Sequence, residues 1–346
     1  MKVARFYAPG DVRIEDADKP VAGPGELLLR IKACSTCGTD VKIFRFGHHH
    51  IVPPRVLGHE IAGEITEIGA GTTGWSIGDR VQVIAAIPCG QCADCRRGWP
   101  TICPNQESMG YHYDGGFAEY MVVPAKVLAV AGVHRIPDDV DYVAASITEP
   151  LACVLNGQEI ARVGVGDSVV VVGAGPIGCL HVRLARARGA REVLLVELNP
   201  ARLALAASIV RPDATVCAGE VDAIDEVLKL TDGRGVDVVI TAAASGQAQQ
   251  DALRMAARRG RISFFGGLPK DSPMISLDAN LVHYRELTIV GASGSSPEQN
   301  RAALDLIATG AVRVDDLVTH RMPLTDVPWA IQTVADGAAI KVTIEP

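Results

Sequence analysis

The sequence predicts an α/β protein in which a mainly β region is followed by a doubly wound parallel sheet. The first observation is a series of short β-type runs broken by glycine and proline, a pattern typical of an antiparallel barrel or sandwich. These runs are residues 26–33, 60–69, 80–87 and 118–124. The second observation is an alternation of wholly apolar strands with amphipathic helices, which implies a parallel sheet covered on both faces. It occupies residues 167–190, 191–210 and 236–267.

The length and the change of pattern predict two domains. A chain of 346 residues is too long for a single compact core. We expect residues 1–152 to form the mainly β domain and residues 153–290 to form the parallel-sheet domain. The alternation weakens after about residue 290, and residues 291–346 are expected to return to the first domain.

Composition argues against several classes of protein. The net charge is −7 and aromatic residues make up 4% of the chain, so the basic footprint and the stacking platforms of a nucleic-acid binder are missing. No apolar run has the roughly eighteen residues that span a bilayer, and the N-terminus has no apolar signal segment. Nine cysteines, an odd number, favour reduced thiols and metal binding over disulfides. We therefore expect a cytoplasmic protein that binds neither nucleic acid nor membrane.

A glycine turn in the second region predicts a dinucleotide site. Gly173, Gly175 and Gly178 form the pattern G-x-G-x-x-G, completed by Pro176 and Ile177. The turn directly follows an apolar strand and opens a helix, which is the context that the dinucleotide fingerprint requires. The first glycine makes the turn, the second lets a pyrophosphate approach the backbone, and the third lets helix and strand pack closely. The N-terminus of the helix then faces the phosphates.

The end of the next strand predicts which dinucleotide binds. Glu197 lies 19 residues beyond Gly178, where a carboxylate accepts the ribose hydroxyls and repels a 2′-phosphate. This position favours NAD over NADP. Arg202, five residues further on, is an arginine that can serve a 2′-phosphate; the alternatives are a solvated helix residue or a partner of the adenine.

Four cysteines in a fifteen-residue loop predict a structural zinc site. Cys89, Cys92, Cys95 and Cys103 provide the four thiolates of a closed tetrahedral site. An iron–sulfur cluster is the main alternative. Because a closed site has no open coordination position, its role is to hold the loop together.

A second, open metal site is indicated near the start of the chain by Cys37 and by the run Gly-His-Glu at residues 58–60. Together with the four-cysteine loop and the glycine turn, these motifs occur in the order and spacing of the zinc-dependent medium-chain dehydrogenases. The chain resembles in particular their sorbitol (polyol) and threonine dehydrogenase branch. The resemblance implies a GroES-like catalytic domain, a Rossmann domain that binds NAD, and two zinc ions per subunit.

The resemblance also implies a ligand set for the catalytic zinc. Cys37 and His59 are the expected fixed ligands, with Glu60 as the third. Glu149, which starts a Glu-Pro pair typical of the polyol branch, is expected to exchange with Glu60 or to support it. Two alternatives stay open: Cys153 as the third ligand, and Glu60 as the buried partner of a nearby cation.

The remaining site residues concern the proton and the substrate. Thr39 is placed to accept the alcohol proton, or else it is an ordinary turn hydroxyl. Many relatives carry a histidine shortly after this threonine, where the chain has Lys42 and Ile43, and the histidines at 48–50 are an exposed loop or a replacement base. Sorbitol dehydrogenases hold polyol hydroxyls with an Arg-Tyr pair, where this chain has the small residues 293–295.

The function expected from these features is zinc-dependent hydride transfer between a secondary alcohol, such as a polyol, cyclitol or sugar, and NAD. One alternative is an L-threonine-type amino alcohol dehydrogenase on the same scaffold. A second, from another class, is a non-enzymatic zinc-ribbon module that binds nucleic acid. The apolar run 286–293 near the end of the parallel sheet predicts a homodimer or homotetramer.

Overall fold

The computed structural model describes all residues, from Met1 to Pro346. The eighteen strands are β1 (Lys2–Ala8), β2 (Asp11–Asp16), β3 (Leu27–Ser35), β4 (Arg55–Val56), β5 (Glu60–Ile68), β6 (Arg80–Val83), β7 (Ala86–Ile87), β8 (Glu107–Ser108), β9 (Tyr120–Val123), β10 (Val133–Arg135), β11 (Ser168–Val172), β12 (Glu192–Glu197), β13 (Ala214–Cys217), β14 (Val236–Thr241), β15 (Ala256–Phe264), β16 (Thr288–Gly291), β17 (Val318–Pro323) and β18 (Lys341–Glu345). The twelve α-helices are α1 (Gly38–Phe46), α2 (Ala93–Arg96), α3 (Ala125–Ala129), α4 (Tyr142–Ser146), α5 (Thr148–Ile160), α6 (Pro176–Ala187), α7 (Pro200–Val210), α8 (Ala223–Leu230), α9 (Gly246–Met255), α10 (Ala279–Arg285), α11 (Pro297–Ala308) and α12 (Val327–Ala335).

The chain divides into two compact units. The first contains Met1–Ala152 together with Gly294–Pro346, and the second contains Cys153–Ser293. Helix α5 runs from one unit into the other. No helix of the chain has both the length and the apolarity that a membrane crossing requires.

The first unit is built on a seven-stranded sheet. Its order is β10-β6-β5-β3-β18-β17, and β9 pairs with β3 beside this path. All the pairs are antiparallel except β17–β18, which is parallel because the connection between these strands carries helix α12. The pairing of β3 with β5 sets Ser35 opposite Glu60, and the pairing of β3 with β18 sets Ser35 opposite Thr343. The end of β3, the start of β5 and the middle of β18 therefore bring three polar side chains to one place in the sheet.

The second unit is a six-stranded parallel sheet with the order β13-β12-β11-β14-β15-β16. Strand β11 is buried along most of its length, as expected for a central parallel strand between two helical layers. The strand order reverses next to β11, and ligands of such folds bind outside the carboxyl ends of the strands at this switch point. The glycine turn follows β11 directly. The prediction of an α/β fold with a doubly wound parallel sheet is confirmed.

Candidate active site

Three potential metal ligands converge in the first unit. The ligand atoms of Cys37, His59 and Glu60 all lie within 4.8 Å of one another. Cys37 caps the N-terminus of α1 just beyond β3, while Glu60 is the first residue of β5. The register of β3 against β5 brings these two segments together. A thiolate, an imidazole and a carboxylate form a donor set that suits a catalytic zinc.

The turn before β5 explains how two neighbouring residues reach one point. Gly58 has φ +89, a conformation that side-chain-bearing residues rarely adopt. A Cβ on Gly58 would lie 2.8 Å from Cys34 Sγ and 2.8 Å from the Phe117 ring. The chain therefore turns tightly at a glycine before the strand begins, and His59 is not constrained by the alternation of side chains along β5.

Asp40 supports this ligand group and was not given a role by the sequence. Its Oδ2 accepts the Cys37 N–H at 2.8 Å, and its Oδ1 lies 3.7 Å from His59 Nδ1. The carboxylate is 1% exposed. Burial lowers the pKa of His59, but Asp40, Cys37 and Glu149 raise it, and the net pKa lies well above its ordinary value. A carboxylate behind a metal-binding imidazole is the usual way to orient such a ligand.

Glu60 has a second partner that the sequence did not reveal. Lys341 Nζ lies 2.6 Å from Glu60 Oε1 and 2.5 Å from Oε2, and both side chains are buried. Burial raises the pKa of Glu60 to about 7, against the lowering effect of Lys341, and the charge of Glu149 adds to the increase. The structure thus shows Glu60 as the partner of a buried cation and, at the same time, within ligand distance of Cys37 and His59.

Glu149 lies close by but outside the converging trio. It is buried in the first turn of α5, and its charge raises the pKa of both His59 and Glu60. Its carboxylate does not join the three ligand atoms that lie within 4.8 Å of one another. Cys153 is also absent from that group and belongs to the second unit. The geometry favours Glu60 as the third donor.

Two hydroxyl groups border the site. Thr39 is half-buried in the first turn of α1. Tyr111 is half-buried, and its ring centroid lies 6.0 Å from that of His59. Burial and the negative charges of Cys37, Asp40 and Glu149 raise the pKa of Tyr111, whereas Thr39 lowers it. No sequence pattern points to Tyr111, because it lies in an irregular loop far along the chain from Cys37 and His59.

The histidine run at 48–50 contributes an outer cluster. The His49 and His50 side chains are exposed, and their ring centroids lie 4.0 Å apart. His48 is half-buried and meets the Tyr111 ring edge-on, with centroids 5.0 Å apart. His49 and His50 therefore belong to an exposed loop, whereas His48 packs against the Tyr111 ring.

The small residues at 293–295 have structural roles. The Ser295 hydroxyl is buried and accepts a hydrogen bond from Asn300 Nδ2 at 3.0 Å. The Ser293 carbonyl accepts one from Asn156 Nδ2 at 3.3 Å. The Ser295 hydroxyl is therefore hydrogen-bonded to a residue of helix α11.

The four-cysteine loop forms a second donor cluster. The Sγ atoms of Cys89, Cys92, Cys95 and Cys103 lie within 4.8 Å of one another, and none forms a disulfide. Backbone N–H groups point at the sulfurs, for example that of Cys92 at Cys89 Sγ, 3.3 Å away. Such N–H donors lower the pKa of Cys89 to about 6. Four sulfurs at this spacing, with one thiol already acidic, suit a closed tetrahedral zinc site.

The glycine turn in the second unit has the space that a pyrophosphate needs. Gly173 adopts φ +111, and a Cβ on Gly178 would lie 1.8 Å from the Gly173 carbonyl oxygen. At Gly175, by contrast, a Cβ would meet nothing within 4 Å. The turn requires Gly173, and the packing of the helix against the strand requires Gly178. Gly175 leaves an open approach to the N-terminus of α6, whose first two residues are Pro176 and Ile177.

Glu197 lies beside this turn at the end of β12. Its Oε2 accepts the Ala174 N–H at 2.8 Å, and its Oε1 accepts the N–H groups of Leu198 and Asn199 at 2.9 and 3.1 Å. The carboxylate is therefore held in a fixed orientation next to the glycine turn. Arg202 is half-buried in the first turn of α7.

Comparison with known proteins gives the family. The Alcohol dehydrogenase GroES-like domain matches residues 23–138 and the Zinc-binding dehydrogenase domain matches residues 176–309. L-threonine 3-dehydrogenase of Pyrococcus furiosus is 36% identical over 88% of this chain and 86% of its own. Sorbitol dehydrogenase of Halalkalibacterium halodurans is 30% identical over 98% of this chain and 97% of its own. A zinc-binding dehydrogenase structure from Sinorhizobium meliloti, bound to NADP, is 33% identical with a TM-score of 0.92, covering 100% of this chain and 99% of that one.

This chain belongs to the zinc-binding alcohol dehydrogenase family. The predicted family, the GroES-like and Rossmann architecture, and the class of NAD(P)-dependent oxidoreductase acting on CH–OH donors are confirmed. A solved relative of known activity, 2R,3R-butanediol dehydrogenase of Bacillus subtilis, is 26% identical with a TM-score of 0.89, covering 100% of this chain and 99% of that one.

Proposed function

We propose that this protein oxidises the secondary carbinol of a neutral polyol or related alcohol, with NAD as the hydride acceptor. The observation that carries the proposal is the convergence of Cys37, His59 and Glu60 within 4.8 Å, in a chain of this family. When bound by these residues, zinc supplies a Lewis acid that lowers the pKa of the substrate hydroxyl.

The surrounding residues have separate tasks in this proposal. Asp40 orients the His59 ring, since its Oδ1 lies 3.7 Å from His59 Nδ1. Glu60 completes the donor set while Lys341 compensates its buried charge. Thr39 accepts the alcohol proton and releases the proton of its own hydroxyl toward solvent, and Glu149 adds negative charge beside the site. Cys89, Cys92, Cys95 and Cys103 hold a second, structural zinc ion.

The cofactor proposed is NAD, bound on the glycine turn and by Glu197. Its oriented carboxylate accepts ribose hydroxyls and repels a 2′-phosphate. The relative from Sinorhizobium meliloti is bound to NADP, so the choice needs a direct measurement on this chain. The ratio of kcat/KM for NAD⁺ and NADP⁺ decides it.

The charges in the first unit support a neutral substrate. Asp40, Glu60 and Glu149 make the surroundings acidic, and the buried cation Lys341 is already paired with Glu60. Apart from the zinc ion itself, a substrate carboxylate would meet these acidic groups, because Lys341 is already engaged by Glu60. Neutral hydroxyl groups fit this environment better.

L-threonine-type amino alcohols are the second candidate. The observation in their favour is the 36% identity with L-threonine 3-dehydrogenase of Pyrococcus furiosus. A screen of NAD⁺ reduction across polyols, cyclitols, sugars and amino alcohols separates the two candidates. The highest kcat/KM on a neutral polyol supports our proposal, and the highest value on L-threonine replaces it.

We also propose that the subunits associate as a dimer or tetramer in the cytoplasm. Strand β16 is at the edge of the parallel sheet, and its outer side has no neighbouring strand. An unpaired edge is a ready surface for another copy of the chain. Light scattering tests this: a mass near 36.5 kDa at working concentration contradicts it.

A further inference from the structure

Tyr111 is held firmly beside the converging ligands. It lies in the loop between β8 and β9, and its ring meets His48 edge-on at a centroid distance of 5.0 Å and an angle of 84°. On another side its ring centroid lies 6.0 Å from that of His59. A ring packed between two imidazoles has little freedom to move, so its hydroxyl group keeps a defined position.

The phenol remains a hydrogen-bond donor. A tyrosine hydroxyl has an ordinary pKa of about 10, so it carries its proton at neutral pH and can donate it in a hydrogen bond. The Tyr111 hydroxyl interacts with the Thr39 side chain, which lies in the first turn of α1 beside Cys37. Both residues are half-buried. Two neighbouring hydroxyl groups at the border of the ligand group can donate to and accept from the oxygens of a bound ligand.

Residues 293–295 do not offer a long side-chain donor of this kind. The Ser295 hydroxyl is buried and engaged by Asn300, and neither this serine nor Gly294 provides a long polar side chain. The chain therefore lacks an Arg-Tyr pair in that segment. A donor for a second substrate hydroxyl is therefore sought elsewhere, and the half-buried Tyr111 beside His59 offers one in the first unit.

We infer that Tyr111 is a specificity-determining residue that donates a hydrogen bond to a second hydroxyl of the substrate, adjacent to the carbinol that reacts. Thr39 interacts with the hydroxyl that reacts, and Tyr111 donates to the hydroxyl on the adjacent carbon. The substrate class is then a vicinal diol or polyol, and a simple secondary alcohol is a poor substrate. This inference rests on the proposed alcohol oxidation and adds the substrate feature that the enzyme selects.

The experiment compares 2,3-butanediol with 2-butanol, which differ by one hydroxyl, for the wild type, Tyr111→Phe and the control Tyr113→Phe. Tyr113 is the matched control because its hydroxyl donates to Glu107 Oε2 at 2.6 Å, apart from the proposed ligands. We measure kcat and KM with NAD⁺, and the binding of each alcohol to the zinc-loaded enzyme by calorimetry. Zinc content and Tm show that each variant is folded and loaded.

We expect the wild type to prefer the diol, and Tyr111→Phe to lose about tenfold of that preference, chiefly in KM and in calorimetric affinity, since it removes one hydrogen bond. The rate with 2-butanol should change much less, and Tyr113→Phe should match the wild type. A folded, zinc-loaded Tyr111→Phe that keeps the full preference overturns the inference and leaves alcohol oxidation intact. If the wild type oxidises no alcohol, the proposed function is wrong. In that case the calorimetric affinity for the diol, compared between the wild type and Tyr111→Phe, tests the role of Tyr111 independently.

Discussion

Glu60 is the residue on which the chemistry of the proposed site depends most. It lies within ligand distance of Cys37 and His59 while both of its oxygens contact Lys341. A buried carboxylate is stable only when it is paired, because desolvation otherwise raises its pKa. Lys341 thus keeps a charged carboxylate available in a place where burial alone would neutralise it.

The roles of Glu60, Glu149 and Cys153 can be separated by substitution. Glu60→Gln should lower kcat strongly while Cys37 and His59 retain part of the zinc. It should also lower the Tm, because Lys341 is left buried without its partner. The double variant Glu60→Gln/Lys341→Met removes that charge and should recover part of the Tm without recovering kcat.

Glu149→Gln should be milder, with a loss of about 10–100-fold in activity or zinc affinity, as for a group that acts through the ligands. Cys153→Ala should keep its zinc. The measurements are zinc content, Tm and kcat on each variant. A zinc-free Cys153→Ala protein beside a fully active Glu60→Gln enzyme would overturn the ligand assignment.

Glu197 should control the choice between the two nicotinamide cofactors. Glu197→Ser removes the charge that repels a 2′-phosphate, so the kcat/KM with NADP⁺ should rise relative to NAD⁺. Part of the NAD⁺ activity should also fall, because the Ala174 N–H loses its acceptor. A wild type that already prefers NADP⁺ would show this assignment to be wrong.

At the scale of elements, the four-cysteine loop depends on its metal. Helix α2 has four residues, Ala93–Arg96, with none buried, which is far too short to be stable alone. Removing one sulfur with Cys92→Ser should release one zinc ion and loosen the loop. Trypsin should then cut after Arg96 or Arg97 at least several times faster. Cys217→Ser, outside this loop, is the control, and equal cutting of both variants and the wild type would contradict a metal-held loop.

The elements show what the sequence reveals and what it hides. The apolar run of β11 and the glycine spacing in the next turn identify the parallel sheet, because they are local patterns. The Glu60–Lys341 pair joins residues 281 positions apart, on the two strands β5 and β18 that flank β3, so no local pattern contains it. Tyr111 is hidden for the same reason, since only the folded loop brings it to His59. The ligand-bearing motifs were visible, while the residues that tune them required the three-dimensional arrangement.

At the scale of the whole molecule, two buried histidines should make stability depend on pH. Burial, with the charge of Arg301, lowers the pKa of His134 to about 4, and burial lowers that of His181 to about 3. The unfolded chain takes up protons below about pH 6.5, where these folded imidazoles stay neutral. Stability must therefore fall as the pH drops from about 6.5 towards 4, by up to about 1.4 kcal/mol per pH unit for each histidine.

The check is the Tm at pH 7.5 and pH 5 for the wild type, His181→Leu and the exposed His283→Gln. His181→Leu should lose less Tm between the two pH values than the wild type, and His283→Gln should follow the wild type. An equal loss in all three proteins would remove His181 as a source of the acid sensitivity.

The central claim is that this chain carries two metal sites of different character, of which the one at Cys37 is catalytic. The direct measurement is the zinc content per subunit, with NAD⁺-dependent activity, for the wild type and for Cys37→Ala. We predict two zinc ions in the wild type, and one in Cys37→Ala together with loss of activity and a Tm close to that of the wild type. A wild type with one zinc ion, unchanged in Cys37→Ala, would contradict the account.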